Sequence, residues 1–272
     1  LLWEVGMKNI KHGLNQAGKE PLIRVEHLYK SFGSIQVLKG VSLEMYPGQV
    51  VAIVGDNGSG KSTLIKILSG SYQPDSGSIY IHNNHYTRLT PKKSLAEGIA
   101  TVYQYLSLDN FRDVAGNIFL GQELIKWGFY LDYPAMEREA VKLLQELNIK
   151  IPNPRLPVGY LSGGQRQGVA IARAVYQGNE ILIFDEPTAA MGVREAATTL
   201  NLIKSLANRG ISVIIISHNL FQVFDIAHRV CIMRNGIIIK DIATEDSSPE
   251  EVHQSIIGMD DLEGRMEPAY AY

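Results

Sequence analysis

The sequence has little of three features that would place it in a special class of protein. Cys231 is the only cysteine among the 272 residues, so no internal disulfide can form, and its apolar neighbours predict a buried thiol in a reducing compartment. No apolar run approaches the ~18 residues that span a bilayer. The charges of Glu4, Lys8 and Lys11 interrupt the first residues before a signal-peptide core can form. These absences predict a cytoplasmic chain.

An excess of charge of either sign is also missing. The chain carries 26 basic and 28 acidic side chains, a net charge of −2, and 45% of its residues are hydrophobic. This is the composition of an ordinary globular protein, so we expect neither disorder nor a nucleic-acid partner. At ~150 residues per domain, the length fits one large or two small domains.

The first segments differ in character. The chain begins at Leu1 rather than at methionine, and we expect residues 1–20 to be an arm or a tag remnant without a functional role. Two β-rich runs follow, Leu22–Leu28 and Ile35–Tyr46. The next run, Val50–Val54, is apolar at every position, which predicts a strand buried on both faces of a parallel sheet.

A glycine-rich loop with the sequence GDNGSGKST follows that strand and leads into apolar residues at helical spacing. This is the GxxxxGK[ST] motif between a strand and a helix, in which backbone N–H groups and the helix dipole face a phosphate. We expect Lys61 to reach the β and γ phosphates and the Ser62 hydroxyl to hold Mg²⁺. A chance glycine-rich turn with a helix cap does not explain all four fixed positions. The candidate binding residues are Asn57, Gly58, Ser59, Gly60, Lys61, Ser62 and Thr63.

A second apolar strand, Ile181–Phe184, ends in two acids. The carboxyl end of a parallel strand is where an open α/β sheet places its ligand. We expect Asp185 to hold Mg²⁺ through water and Glu186 to orient or deprotonate an attacking water. Alone, such a strand end is more often an ordinary turn, but its place downstream of the phosphate loop favours the catalytic interpretation.

A second helix start lies between these motifs, at LSGGQ (residues 161–165). Ser162 is a good N-cap, and the two glycines leave N–H groups free for an anion. The phosphate loop, LSGGQ and ILIFDEP in this order resemble the ATP-binding cassette ATPases over residues 22–245. The resemblance implies an α/β fold with a P-loop NTPase parallel-sheet core, an N-terminal antiparallel β subdomain and an inserted helical subdomain. It implies ATP and Mg²⁺ as ligands, with the partner's nucleotide facing Ser162, Gly163, Gly164 and Gln165.

Three more positions match the family. Phe32 matches the aromatic residue that stacks on adenine, although a strand-edge core Phe is an alternative and Tyr29 is a similar neighbour. Gln104 matches the glutamine that touches Mg²⁺ and begins a loop facing a membrane partner. His218 matches the histidine that contacts the γ-phosphate. Without the other motifs, Gln104 and His218 would be interpreted as surface residues.

One position departs from the family. The loop that begins at Pro187 usually ends in an aspartate that signals between two nucleotide sites, but here Gly192 follows Met191. The departure puts cross-site coupling and the hydrolysis rate in doubt, but not binding. The string NIFLG at residues 117–121 resembles one found in importers of monosaccharides such as ribose or fructose, and the loop around Met191 resembles that of single-cassette members.

The expected organisation has four parts. A stripe from Met136 to Leu147 predicts a packed helix that begins near Asp132, and Pro249 to Ile257 predicts a short C-terminal helix. The parts are the arm 1–20, a nucleotide-binding core 21–104 and 161–245 that includes the signature helix 162–177, a helical subdomain 105–160, and a C-terminal helix and tail 246–272.

The resemblance implies an ATP hydrolase that dimerises head to tail around two ATP–Mg²⁺ and drives a transporter. Its expected partners are a second copy of itself, a membrane permease and, indirectly, a solute-binding protein, at the inner face of the cell membrane. Sugar import is the expected process. The alternatives are a soluble cassette ATPase of cluster assembly or repair, and an assembly switch that scarcely hydrolyses, which Gly192 motivates.

Overall fold

The computed structural model describes residues 20–189 and 191–258. The predicted arm up to residue 19, Ala190 and the tail from residue 259 lie outside the described residues. The strands are β1 (Ile23–Phe32), β2 (Ile35–Met45), β3 (Val50–Val54), β4 (Ser76–Ile81), β5 (Asn84–Tyr86), β6 (Ile99–Val102), β7 (Ile125–Lys126), β8 (Tyr130–Leu131), β9 (Ile181–Asp185), β10 (Ser212–Ile216), β11 (Arg229–Arg234) and β12 (Ile237–Ala243). The α-helices are α1 (Lys61–Leu68), α2 (Pro91–Ala96), α3 (Val114–Ile118), α4 (Tyr133–Glu146), α5 (Gly163–Tyr176), α6 (Val193–Asn208), α7 (Leu220–Ile226) and α8 (Pro249–Ile257).

The central sheet has six strands in the order β12-β11-β3-β10-β9-β6. Five of them run parallel, and only β12 pairs antiparallel with its neighbour β11. A second sheet, antiparallel throughout, has the order β2-β1-β4-β5. The predicted combination of a parallel P-loop core with an N-terminal antiparallel sheet is therefore confirmed.

Two apolar cores lie on opposite faces of the central sheet, and β3 contributes to both. Val50, Ala52 and Val54 pack into the core beneath helices α3 to α8, while Val51 and Ile53 pack into the core shared with α1 and the antiparallel sheet. Successive side chains of a strand point to opposite faces, so a strand covered on both sides needs an apolar residue at every position. This explains the unbroken apolar run, in which each buried branched side chain contributes about 1.5–3 kcal/mol.

Residues 105–160 hold the predicted long helix. Asp132 caps α4 by accepting a hydrogen bond from the Ala135 N–H, and the predicted stripe from Met136 to Leu147 is buried. The sequence interpretation missed the β7–β8 hairpin in this region, whose loop carries the exposed side chain of Trp127.

A buried asparagine ties the start of the same region together, and sequence reasoning assigned it no structural role. The Asn117 side chain accepts a hydrogen bond from the Asp109 N–H and donates to the carbonyl oxygens of Asp109, Arg112 and Asp113. With its side chain fully buried and its amide satisfied, Asn117 fixes the loop that precedes α3.

Two further predictions concern the C-terminal part. The short helix is confirmed as α8, which a capping box of Ser248 and Glu251 begins and Gly258 ends at φ 80°. Cys231 is fully buried in β11, and that burial raises the pKa of its thiol. Within the described residues, each helix is too short or too polar to cross a membrane.

Candidate functional site

The strand register brings the predicted residues to one edge of the central sheet. Ile216 of β10 lies opposite both Ile53 of β3 and Asp185 of β9, and Val102 of β6 lies opposite Phe184. The carboxyl ends of four parallel strands are therefore level with one another. The loops that leave these ends carry the phosphate loop, the acidic pair, the predicted histidine and the predicted glutamine. This is the edge at which open parallel sheets bind ligands.

The phosphate loop has a backbone that only glycine can adopt at two points. Gly55 has φ 148°, and a Cβ there would lie 2.0 Å from the Met233 carbonyl oxygen. Gly60 has φ 108°, and its Cβ would lie 2.8 Å from a Leu38 methyl group. Gly60 is the N-cap of α1 and offers no side chain to accept from the first turn, so the helix N–H groups are left for another acceptor.

Lys61 lies across the mouth of this loop. Its ammonium group donates to the carbonyl oxygens of Gly55 and Asp56, both at 2.7 Å, and to the Ser59 hydroxyl at 3.3 Å. Burial lowers the pKa of Lys61, while the carboxylates of Glu186, Asp56 and Asp185 oppose that shift. The ammonium is thus held by neutral oxygens, and an anionic phosphate oxygen is a stronger acceptor for it.

The two acids after β9 have different surroundings. Burial raises the pKa of Asp185, the neighbouring Glu186 raises it further, and Lys66 and Lys61 lower it. A cation close to Asp185 would therefore stabilise its charged carboxylate. Glu186 has φ 51°, a conformation that non-glycine residues rarely adopt, and its N–H donates to the Ile216 carbonyl oxygen at 3.0 Å.

The strained turn brings the Glu186 carboxylate to the loop after β10. Its Oε2 lies 2.9 Å from Nδ1 of His218. The Glu186 side chain is 21% exposed and that of His218 is 77% exposed. The sequence interpretation gave these residues separate roles and missed their contact. The pair places a carboxylate base with a hydrogen-bonded imidazole at the ligand edge, which is an arrangement suited to holding a proton-accepting group in one orientation.

The expected magnesium ligands are oxygen donors, as this cation requires. They are the hydroxyl of Ser62, the carboxylate of Asp185 and the side-chain carbonyl of Gln104. Across the described residues, no group of three or more His, Cys, Asp or Glu side chains is placed to hold a metal. One carboxylate and one hydroxyl suit an ion that shares its coordination shell with waters and phosphate oxygens, so the residues present fit Mg²⁺.

Gln104 is exposed in the loop that leaves β6. The next part of that loop is fixed by Arg173 of α5, which donates to the carbonyl oxygens of Leu106 and Ser107 at 3.1 and 3.0 Å. Burial lowers the pKa of Arg173. A groove of about 340 Å³ lies beside this loop, and its lining includes Leu95, Thr101, Tyr103, Leu106, Leu120 and Arg173.

The LSGGQ segment forms a capped helix start. Ser162 is the N-cap of α5 as predicted: its hydroxyl accepts from the Gln165 N–H, and the Gln165 side chain accepts from the Ser162 N–H. A Cβ at Gly163 would meet no atom within 4 Å, whereas one at Gly164 would lie 3.4 Å from the Cβ of Glu195. Ser162 is exposed, so this helix start is open to a ligand or partner.

Phe32 ends β1 and is 43% exposed, which rules out the alternative of a core residue. Its ring packs at 66° to that of Tyr72 with 5.3 Å between centroids, and the Lys30 ammonium lies 5.3 Å from its centroid. Tyr29 is 37% exposed, but its hydroxyl end lies against Gly40. Phe32 therefore offers an aromatic surface that is held in place and still open.

Gly192 is the N-cap of α6 and provides no side-chain cap. A Cβ at this position would meet no atom within 4 Å. An aspartate would fit there, so the departure from the family pattern is not forced by packing.

Comparison with known proteins agrees with this geometry. The sequence pattern of the ABC transporter family matches residues 38–189. The xylose/arabinose import ATP-binding protein XylG of Sulfolobus acidocaldarius is 42% identical over 231 residues, which are 85% of this chain and 92% of that protein. The fructose import ATP-binding protein FrcA of Rhizobium meliloti is 42% identical over 225 residues, 80% of this chain and 86% of that protein.

Solved structures show the same architecture. A nucleotide-free ATP-binding cassette from an ABC transporter superposes with a TM-score of 0.75 at 29% identity, covering 88% of this chain and 96% of that one. A dimeric cassette in a post-hydrolysis state, bound to ADP and phosphate, superposes with a TM-score of 0.70 at 25% identity, covering 82% of this chain and 98% of that one.

Proposed function

The chain belongs to the ABC transporter family of ATP-hydrolysing proteins, and from this premise we propose that it is the ATPase subunit of a monosaccharide importer. The observation that carries the proposal is the alignment of four strand ends, which gathers the phosphate loop, Asp185 and the Glu186–His218 pair at one edge. A phosphate loop alone indicates nucleotide binding. The carboxylate–imidazole pair beside it adds the groups that hydrolysis needs.

In this proposal each side chain has one task. The N–H groups of the loop and the Lys61 ammonium bind the phosphates, exchanging the carbonyl oxygens of Gly55 and Asp56 for charged acceptors. Ser62, Asp185 and Gln104 hold Mg²⁺, which when bound neutralises charge on the phosphates. Glu186 orients a water and accepts its proton.

His218 keeps the Glu186 carboxylate in place through the 2.9 Å contact and is near enough to this edge to meet the γ-phosphate. Its imidazole exposes most of its surface, so it can also turn toward the nucleotide. The strained backbone at φ 51° then still sets the direction in which the Glu186 side chain leaves the main chain.

The working unit in this proposal is a head-to-tail dimer. The open start of α5, with Ser162, Gly163, Gly164 and Gln165, faces the nucleotide bound to the partner's phosphate loop, and Phe32 stacks on the adenine. A similar solved cassette bound to ADP and phosphate is dimeric, which supports self-association of the chain. Gly192 supplies no carboxylate to that interface, so coupling between the two sites is weaker than an aspartate would give.

The groove beside Gln104 is the proposed docking site for a membrane permease. It lies between α2, the end of β6 and α5, and its mixed apolar and polar lining suits a segment of another chain. We retain the proposed division into a core of 21–104 and 161–245 and a helical part of 105–160, because the groove lies where these parts meet. Docking there places the chain at the inner face of the membrane, with a solute-binding protein as an indirect partner.

Two observations support a monosaccharide as the solute. The relatives are named as xylose/arabinose and fructose import proteins, and the chain carries the NIFLG string. Within that string, Asn117 has a structural task, since it fixes the loop before α3. The string therefore supports a shared local fold, and the choice of sugar belongs to the permease and the binding protein.

The test is to express the chain with the permease and sugar-binding protein encoded beside its gene. We expect the chain to co-purify with that permease and Mg²⁺-dependent ATP turnover to rise when the sugar-loaded binding protein is added. Turnover without permease binding would favour a soluble cassette ATPase. Permease binding without turnover would favour the assembly switch.

A further inference from the structure

The aromatic ring of Phe32 rests on a segment that lies 40 positions further along the chain. Tyr72 packs edge-on against it at 5.3 Å, and Tyr72 itself is partly buried against the core shared by α1 and the antiparallel sheet. β1 ends at Phe32, and the pairing of Phe32 with Ile35 of β2 across a two-residue turn fixes its backbone but not its ring. Tyr72 is therefore the aromatic side chain that supports the ring of Phe32.

The backbone before Phe32 is fixed by the same segment. Asp75 accepts a hydrogen bond from the Lys30 ammonium at 2.9 Å and from the Ser31 N–H at 2.6 Å, and its own N–H donates to the Tyr29 carbonyl oxygen at 2.9 Å. Three consecutive residues of β1 are thus bonded to one aspartate. These bonds also hold the Lys30 ammonium near the Phe32 ring, 5.3 Å from its centroid.

Hydrogen bonds connect this segment to the helix that follows the phosphate loop. The Tyr72 N–H donates to the Lys66 carbonyl oxygen at 2.8 Å, and the Lys66 ammonium lies 5.1 Å from the centroid of the Tyr72 ring. Between them, Gly70 has φ 76°, and a Cβ there would lie 2.3 Å from the Thr90 backbone. Helix α1, Tyr72, Asp75 and Phe32 therefore form one connected unit.

We propose that Tyr72 and Asp75 are positioning residues that set the Phe32 ring at a fixed distance from the phosphate loop, so that one molecule of ATP meets both its phosphate site and its base site. The inference rests on the proposed role of Phe32 in stacking on adenine. When the Phe32 ring is already held in place, its side chain loses no further rotamer freedom on binding, and this gain is confined to ligands that carry a base.

The test compares ATP with a ligand that has the phosphates and no base. Calorimetry measures the affinity of the purified chain for Mg–ATP and for Mg–tripolyphosphate. We expect Tyr72→Ala to weaken ATP binding about three- to tenfold, the range that one aromatic pair contributes, and to leave tripolyphosphate unchanged. We expect Asp75→Asn also to weaken ATP binding relative to tripolyphosphate binding. Tyr72→Phe should keep the wild-type affinity for ATP because the ring contact remains.

Steady-state kinetics adds a readout that a loss of packing alone does not move. In Tyr72→Ala we expect KM for ATP to rise while kcat stays near the wild-type value. The matched control is Tyr80→Ala, which removes a tyrosine that packs on Arg24 and His85, away from Phe32. This variant is expected to keep the affinity for ATP.

The outcomes separate the inference from its premise. If Phe32→Ala weakens ATP binding and neither Tyr72→Ala nor Asp75→Asn does, the positioning role is wrong and the stacking role of Phe32 stands. If Phe32→Ala leaves ATP binding unchanged, the stacking role fails and the inference fails with it. An equal loss of ATP and tripolyphosphate in Tyr72→Ala would show that Tyr72 acts on the phosphate loop through α1, which also overturns the proposal.

Discussion

Replacing Lys61 by alanine tests the phosphate site. The expected loss of ATP affinity follows from the contacts of the ammonium group. Lys61 donates to two carbonyl oxygens at 2.7 Å and to Ser59 at 3.3 Å. In the proposed ATP complex it donates instead to phosphate oxygens, and a hydrogen bond between charged groups contributes about 1.5–3 kcal/mol. The Lys61 side chain is partly exposed, so solvent weakens this interaction, and we take ~2 kcal/mol, which is about a thirtyfold loss of affinity.

The same change has a smaller effect on folding. The two carbonyl oxygens lose a donor, at about 1 kcal/mol each, but removing a half-buried ammonium also removes its desolvation cost, which lowers the pKa of Lys61. We therefore expect the free energy of unfolding to fall by less than ~2 kcal/mol. ATP affinity should change more than stability does.

Calorimetry with Mg–ATP and urea denaturation measure the two quantities on the same protein. Lys142→Ala, on the exposed face of α4 where the side chain is 69% exposed, is the matched loss of one lysine and should leave both unchanged. Wild-type ATP affinity in Lys61→Ala would refute the assignment of this loop to phosphate binding.

Three further changes test neighbouring parts of the site. Glu186→Gln keeps the shape and removes the base, so gel filtration with ATP should show a stable dimer while turnover falls by ~10²-fold, and normal turnover would remove Glu186 from the chemistry. Asp185→Asn should stabilise the nucleotide-free chain at neutral pH: burial and Glu186 raise the pKa of Asp185, so the folded chain binds that proton more tightly than the unfolded chain does. Melting temperatures should therefore show the gain shrinking as pH falls through this raised pKa, and a gain that grows toward acid pH would contradict the sign. Gly192→Asp adds a missing cap where a Cβ has space, so calorimetry should show a melting temperature about 1 °C higher, and a lower one would contradict the cap geometry.

The parts of the site that depend on local sequence could be predicted. The phosphate loop, the capped start of α5 and the helix after Asp132 each place their determinants within a few residues, where turn geometry and capping act directly. The strand β3 could be predicted because it is covered on both faces, so each of its five residues is apolar.

The contacts between distant segments could not be predicted in this way. The hydrogen bond between Glu186 and His218 depends on Ile216 lying opposite Asp185, a register that no local pattern specifies. The packing of Phe32 on Tyr72 likewise requires the turn after α1 to return to the end of β1. The β7–β8 hairpin was missed because strands of two residues are too short to show an alternating pattern.

The central proposal is that each ATP lies between Lys61 of one chain and Ser162 of its partner. The most direct test is calorimetry and turnover of Ser162→Arg, because an arginine at the exposed start of α5 blocks closure while the phosphate loop of the same chain is untouched. We expect near-normal ATP affinity in the monomer and no hydrolysis. Mixing it with Lys61→Ala should restore up to roughly a quarter of wild-type activity where one site turns over alone, since about half of random pairs hold one complete site. A large loss of ATP affinity in the Ser162→Arg monomer would contradict the proposal, because it would place Ser162 beside the phosphate loop of its own chain.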